Sequence, residues 1–167
     1  MSAAQTVAVG AARMAGSHAM LIGLDPLLSP DLLHALASMG HGDEIAIVDA
    51  NFPAASSARR LIRLDGADAP TALAAVLTLL PLDTFVDHPV LVMAVEGAPR
   101  AVPPPVRDFR RILAAAGAPA PVTLARPAFY PRASAAYAIV RTGERRFYGN
   151  VILVKGAIDE HGRVPPP

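Results

Sequence analysis

From Ser29 onward the apolar residues fall into short blocks punctuated by proline, glycine and aspartate, and the blocks alternate between two periods. Leu32, Leu36 and Met39 recur at i, i+4 and i+7, one face of a helix. Ser29-Pro30-Asp31 supplies its start: a hydroxyl N-cap, proline at the first helical position and a carboxylate near the positive end of the dipole. Gly40 is expected to end it in the left-handed conformation. Ile45-Ala46-Ile47-Val48 is a continuous β-branched run and predicts a buried strand, with Asp49 at its carboxyl end and the loop Ala50-Asn51-Phe52-Pro53 beyond.

Leu61 to Leu64 predicts a second strand, Pro70 to Leu80 an apolar helix terminated by Pro81, and Val90 to Val95 a third strand. Pro103 to Ala116 reads as an amphipathic helix with Val106, Phe109, Leu113 and Ala116 as its apolar stripe and Gly117 as its stop. Val122 to Ala125 predicts a fourth strand, and Phe129 to Ser134 one helical turn. Tyr137 to Arg141 and Val151 to Val154 read as a hairpin about Thr142-Gly143-Glu144. Strands alternating with helices imply an α/β fold: a single-domain sandwich with a mixed β-sheet flanked by helices.

Residues 1–19 lack a clear period and bulky core residues, which predicts a disordered extension with Met20 as an alternative start. Their one cation before His18, Arg13, follows the apolar stretch, the reverse of a signal peptide. The domain is expected over 20–158, with a flexible tail over 159–167.

Composition narrows the function. The chain has 167 residues, 53% of them hydrophobic, enough for one core. A net charge of +1, with cations scattered in pairs such as Arg59-Arg60 and Arg145-Arg146, offers no nucleic-acid surface. No apolar run approaches the ~20 residues of a membrane span. The absence of cysteine excludes disulfides, thiolate nucleophiles and zinc–thiolate sites, and suits a cytoplasmic protein. The histidines show no metal-ligand spacing, and Gly40-His41-Gly42 lacks the third glycine of a dinucleotide fingerprint. No metal or cofactor is expected.

Three places could carry chemistry. His41 lies in a glycine-flanked loop, where an imidazole can approach a ligand and exchange protons near neutral pH, or simply interact with the preceding helix terminus. Asp49, at the carboxyl end of a strand, could accept hydrogen bonds from a ligand's hydroxyls, or could cap its own loop as an Asx turn. Tyr148-Gly149-Asn150 combines donors, acceptors, an aromatic face and a glycine that allows close approach; it could equally be an ordinary strand entry.

The segments SPDLLHALASMGHGDEIAIVDANFPA, VEG at Val95 to Gly97, and RPAFYPRASAAYAIVRTGERRFYGNVILVKG together resemble the RbsD/FucU family over roughly Met20 to Gly156. GHGDE and ERRFYGN are the most specific motifs. Glycine after His41, and glycine between Tyr148 and Asn150, mark the fucose branch over the ribose branch. The resemblance implies a cofactor-free isomerase that opens and recloses the ring of a free monosaccharide. It implies His41 as general acid/base, Tyr148 as a second proton carrier, and Asp49, Arg126, Tyr148, Gly149 and Asn150 as sugar-binding residues. It further implies a homo-oligomeric ring, such as a decamer, with sites near subunit boundaries. Pro127 and Pro131 depart from the family pattern around Arg126 and Tyr130, and Asn51 stands where some relatives carry histidine. D-Ribose pyranase activity, or a non-catalytic sugar-binding ring, are the alternatives that the same residues would serve.

Overall fold

The computed structural model describes residues 21–166, so the expectation for residues 1–19 lies outside the described residues. The described chain contains six strands and five helices in the order α1 (Pro30–Ser38), β1 (Glu44–Val48), α2 (Ala54–Ser57), β2 (Leu61–Leu64), α3 (Ala69–Leu77), β3 (Val90–Met93), α4 (Pro104–Ala115), β4 (Val122–Leu124), α5 (Arg126–Ala135), β5 (Ala138–Thr142) and β6 (Val151–Val154). The strands form one sheet in the order β2-β5-β1-β6-β3-β4. β1, β2 and β5 pair in parallel, as do β3 and β4, whereas β6 runs antiparallel to both β1 and β3. Five strands therefore point one way and β6 alone points back: the expected mixed sheet.

The apolar runs do not alternate because both sheet faces are covered. Ile45 and Ile47 of β1 join Val140, Val151 and Leu153 beneath α1, α3 and α4, where Leu32, Leu73, Val76, Phe109 and Leu113 close the larger core. Ala46 and Val48 face the other way, with Ile139 and Ile152, against Phe129 and Ala133 of α5 and Ala54 of α2. That second layer is thin, and the gap it leaves holds the candidate site. Among the described residues, no helix is long and apolar enough to cross a membrane.

Several expectations need correction. β5 and β6 are not a hairpin: β1 lies between them and pairs with both. A hairpin joins adjacent strands with a tight turn, but here residues 143–150 must cross the carboxyl end of β1. Gly40 does not adopt the left-handed conformation; α1 ends with Met39 extended at φ −64°, ψ 139°, and the positive φ falls at Gly42. Lys155 stabilises that helix end, its Nζ donating to the carbonyls of Leu36 and Met39, so a cation at the negative pole is supplied from β6's exit rather than by His41.

α3 starts one residue earlier than its proline suggests, since Asp68 caps it by accepting from Thr71 N at 2.8 Å, and it ends at Leu77. β3 stops at Met93 instead of Val95. α2 has no periodicity to announce it, being four small residues. The single turn expected at Phe129 is a ten-residue helix, α5, despite Pro131 in its interior. An interior proline costs about 3 kcal/mol. Complete burial of Phe129 and Ala133 offsets it, as does Arg132, which forks onto both oxygens of Glu44. Arg132 fixes the far end of α5 at the start of β1, so the first turn of α5 lies beside the end of β1.

Over 159–166, Asp159 caps a turn by accepting from the amides of His161 and Arg163, and the Pro165 carbonyl accepts from Thr84 Oγ1.

Phe109 is fully buried where α4 meets the sheet. Phe109→Ala should cost about 3–5 kcal/mol, read as a lower denaturant midpoint with an unchanged slope.

Candidate active site

The crossing segment and the end of β1 make a buried polar knot. Asp49 N donates to Asn150 Oδ1 at 2.9 Å, and Asn150 Nδ2 donates back to Asp49 Oδ2 at 2.9 Å. Thr142 Oγ1 donates to the Val48 carbonyl, and Ala50 N donates to the Glu144 carbonyl, both at 2.8 Å. Asp49 Oδ1 accepts from the amides of Asn51 and Phe52. The loop-capping reading of Asp49 holds: Oδ1 caps the loop, while Oδ2 accepts from Asn150 beside a pocket. Burial pushes the Asp49 carboxyl above its ordinary value, partly opposed by hydrogen bonds from Asn51, Asn150, Phe52 and Gly149.

Tyr148 is the one non-glycine residue with a left-handed backbone among the described residues, at φ 64°. Its neighbour must be glycine: a Cβ on Gly149 would stand 2.6 Å from Glu144 Cγ and 3.4 Å from Asp49 Cβ. The loop is pinned by Glu144, whose buried carboxylate accepts from the backbone and guanidinium of Arg146, which also reaches Asp108 on α4. Arg146 pulls Glu144 below its ordinary carboxylate value, overcoming the opposite effect of burial. The Tyr148 hydroxyl accepts from Glu96 N at 3.2 Å.

These groups line a pocket of about 450 Å³ at the carboxyl end of the parallel strands, the usual ligand position in α/β sheets. Asp49, Arg126, Tyr148 and Asn150 line it together; Gly149, between the last two, does not line it and instead packs against Glu144 and Asp49. Arg126, at the first position of α5, pairs with Glu96 and sits 5.6 Å above the Tyr130 ring. The pocket thus has one wall of hydrogen-bonding side chains. Its other wall is apolar, formed by Met93, Phe147 and the stacked pair Phe52 and Tyr130, with centroids 5.1 Å apart.

His41 is elsewhere. It precedes β1, whereas Asp49 follows it, so about 16 Å of strand separates the two ends. Its side chain is 48% exposed, and its Nε2 lies 3.0 Å from Asp83 Oδ2. The Asp83 side chain is 2% exposed. Nε2 faces that carboxylate, and Nδ1 is the ring nitrogen turned away from it.

Sequence reasoning did not assign Asn51, Phe52, Met93, Tyr130 or Phe147 to the pocket, nor Asp83 to His41. Phe52 and Tyr130 stand in the family-like segments, and Phe147 adjoins Tyr148. Asp83 carried no local signal, because its partner is 42 residues away.

Comparison with known proteins agrees with this fold. The model of the RbsD / FucU transport protein family matches residues 22–158. A fucose mutarotase of Bos taurus is 47% identical over 145 residues, covering 83% of this chain and 95% of that protein. An L-fucose mutarotase of Haemophilus influenzae is 46% identical over 139 residues, covering 82% of this chain and 96% of that protein. The crystal structure of the fucose mutarotase in complex with L-fucose from Streptococcus pneumoniae superposes with a TM-score of 0.78 at 42% identity, covering 83% of this chain and all of that one.

Two outcomes are expected. A carboxylate held below its unfolded value adds stability that is complete above about pH 4.5 and is lost as pH falls through the depressed value. Glu144→Gln should therefore lower stability near neutrality and flatten its decline in acid, measured as denaturant midpoint against pH. Gly149→Ala should displace Glu144 or Asp49, and should weaken sugar binding by calorimetry more than it changes secondary structure by circular dichroism.

Proposed function

Since the chain belongs to the RbsD / FucU transport protein family, we propose that it is a cofactor-independent sugar mutarotase, interconverting the α and β anomers of L-fucose or a closely related free monosaccharide. The observation that carries this reading is the pocket in which Asp49, Arg126, Tyr148 and Asn150 converge on one side and an aromatic wall stands on the other. A sugar is bound by that combination: hydroxyls by the polar wall, C–H faces by the rings. The relatives named fucose mutarotases, matched over most of their length, support the same activity.

Anomers exchange through the open-chain aldehyde. A base takes the anomeric hydroxyl proton while an acid protonates the ring oxygen; the carbonyl turns, and the ring recloses on its other face. No electrons are transferred, so the reaction itself calls for proton carriers and hydroxyl anchors alone. Asp49 and Asn150 anchor hydroxyls, and Arg126 exchanges part of its pairing with Glu96 for the sugar. The Tyr148 hydroxyl is a second proton-carrying group at the pocket. His41 is the principal acid/base, with Asp83 holding its Nε2–H and leaving Nδ1 to carry the proton.

His41 cannot serve the pocket of its own chain across the length of β1, so in this reading it serves the pocket of a second copy in a homo-oligomeric ring. Its exposure on the opposite end of the sheet supports that arrangement. The cysteine-free composition agrees with a cytoplasmic setting. Pyranose–furanose exchange of D-ribose proceeds through the same ring opening and differs in which hydroxyl recloses, so it is the side activity to measure.

Saturation-transfer NMR on L-fucose at anomeric equilibrium, with D-ribose in parallel, tests the activity. Fast exchange is expected with fucose, falling by about 10²-fold or more in His41→Ala with the fold intact. Full activity in that variant would overturn the role of His41; no exchange with either sugar would favour a binding-only ring.

A further inference from the structure

Phe85 is a large aromatic side chain left 58% exposed, two residues beyond Asp83. Its neighbours Thr84 and Val86 line a groove of about 690 Å³ beside the end of α3, but Phe85 does not. It faces His41 instead, edge-on, with ring centroids 5.8 Å apart and planes at 62°. The same carboxylate holds both: Asp83 Oδ2 accepts from His41 Nε2 at 3.0 Å, and Asp83 Oδ1 accepts from Phe85 N at 2.9 Å. Because Asp83 is buried and bonded to both, the imidazole and the phenyl ring form one preset unit at the amino end of β1.

We infer that Phe85 enters the sugar pocket of a second copy together with His41, and there supplies an aromatic wall against the sugar's apolar face. The inference rests on the reading that His41 acts in that second copy. The chemistry fits a sugar with a contiguous C–H face, a 6-deoxyhexose above all, since its methyl group extends that face where another hexose carries a hydroxyl. Phe52 and Tyr130 are stacked on each other and cover one side of the pocket. A ring arriving from outside would cover the open side, while His41 is set beside it at the anomeric centre. Phe85 is thus a substrate-contacting residue that selects the sugar, and Asp83 is the positioning residue that fixes its distance from the proton carrier.

Mixing experiments separate this inference from the reading beneath it. Rings reassembled from His41→Ala and Asp49→Asn chains should regain exchange, since some sites combine an intact pocket with an intact His41. No recovery would remove the second-copy reading itself. Phe85→Ala should raise KM for L-fucose about three- to tenfold, with a smaller change for a hexose bearing a 6-hydroxyl. Phe85→Leu, which keeps apolar bulk if truncation impairs assembly, should show the same preference loss in weaker form. An unchanged KM and sugar preference in both variants, where the first mixture recovers, would overturn the role of Phe85. Rings mixed from Phe85→Ala and His41→Ala chains decide whether the two residues act as one unit. No site then holds both, so KM should remain at the Phe85→Ala value. Recovery of wild-type KM would place Phe85 at a different site from His41 and overturn the inference.

Discussion

The structure depends on β1 being placed between two strands that run in opposite directions. β5 lies parallel to it on one side and β6 antiparallel on the other, so the chain leaving β5 must pass over the carboxyl end of β1 to begin β6. That passage buries polar backbone which a closed hairpin would have paired. Unpaired, each such group would cost about 1–3 kcal/mol. The chain meets the demand with side chains: Asn150 pairs with the amide and carboxylate of Asp49, Thr142 with the Val48 carbonyl, and Glu144 with Arg146. No buried side-chain nitrogen or oxygen among the described residues lacks a partner. The polar knot needed to close the fold is also the polar wall of the pocket.

The two ends of β1 carry different chemistry for the same reason. At its carboxyl end the crossing loop gathers polar side chains and the thin second layer leaves space. At its amino end, Gly42 N donates to the Lys155 carbonyl and Asp83 N to the Val154 carbonyl, which places the His41 turn and the Asp83 loop side by side at the exit of β6. His41 is thereby held beside Asp83 but remote from the pocket of its own chain. In the proposed reading, assembly brings a pocket and a proton carrier together, and activity depends on association.

Most of the architecture was legible in the chain because the apolar blocks are short and sharply bounded. The strand at Ile45 to Val48, the helix cap at Ser29 and the Gly117 stop all follow from local chemistry, and the structure realises each. Strand order was not legible. Thr142-Gly143-Glu144 has hairpin composition, yet Gly143 is required there because a Cβ would stand 2.2 Å from the Asp65 carbonyl oxygen, a contact distant in sequence. α5 was underestimated because Pro131 argues against a helix locally, while burial of Phe129 and the Arg132–Glu44 pair are tertiary. At the site, Asp49, Arg126 and the Tyr148–Asn150 segment converge from three places in the chain. The separation of His41 from them follows from the strand predicted at Ile45 to Val48, which has His41 before it and Asp49 after it.

The strain at Tyr148 also has a physical account. A left-handed backbone costs a non-glycine residue about 1–2 kcal/mol, and glycine at 148 would avoid it. The cost places an aromatic ring and hydroxyl at the mouth of the pocket while Gly149, beside it, passes close over Asp49. Flanking groups hold the turn: Arg146 binds Glu144 on one side, and Asn150 is clamped to Asp49 on the other. Such rigidity suits ring opening. Between breaking and remaking the ring bond, the sugar needs one carbonyl free to turn while its remaining hydroxyls stay anchored. A mobile wall would release the open chain before it reclosed. In the proposed reading, a wall fixed by buried hydrogen bonds keeps the anchored hydroxyls in place and leaves the anomeric carbon as the moving part.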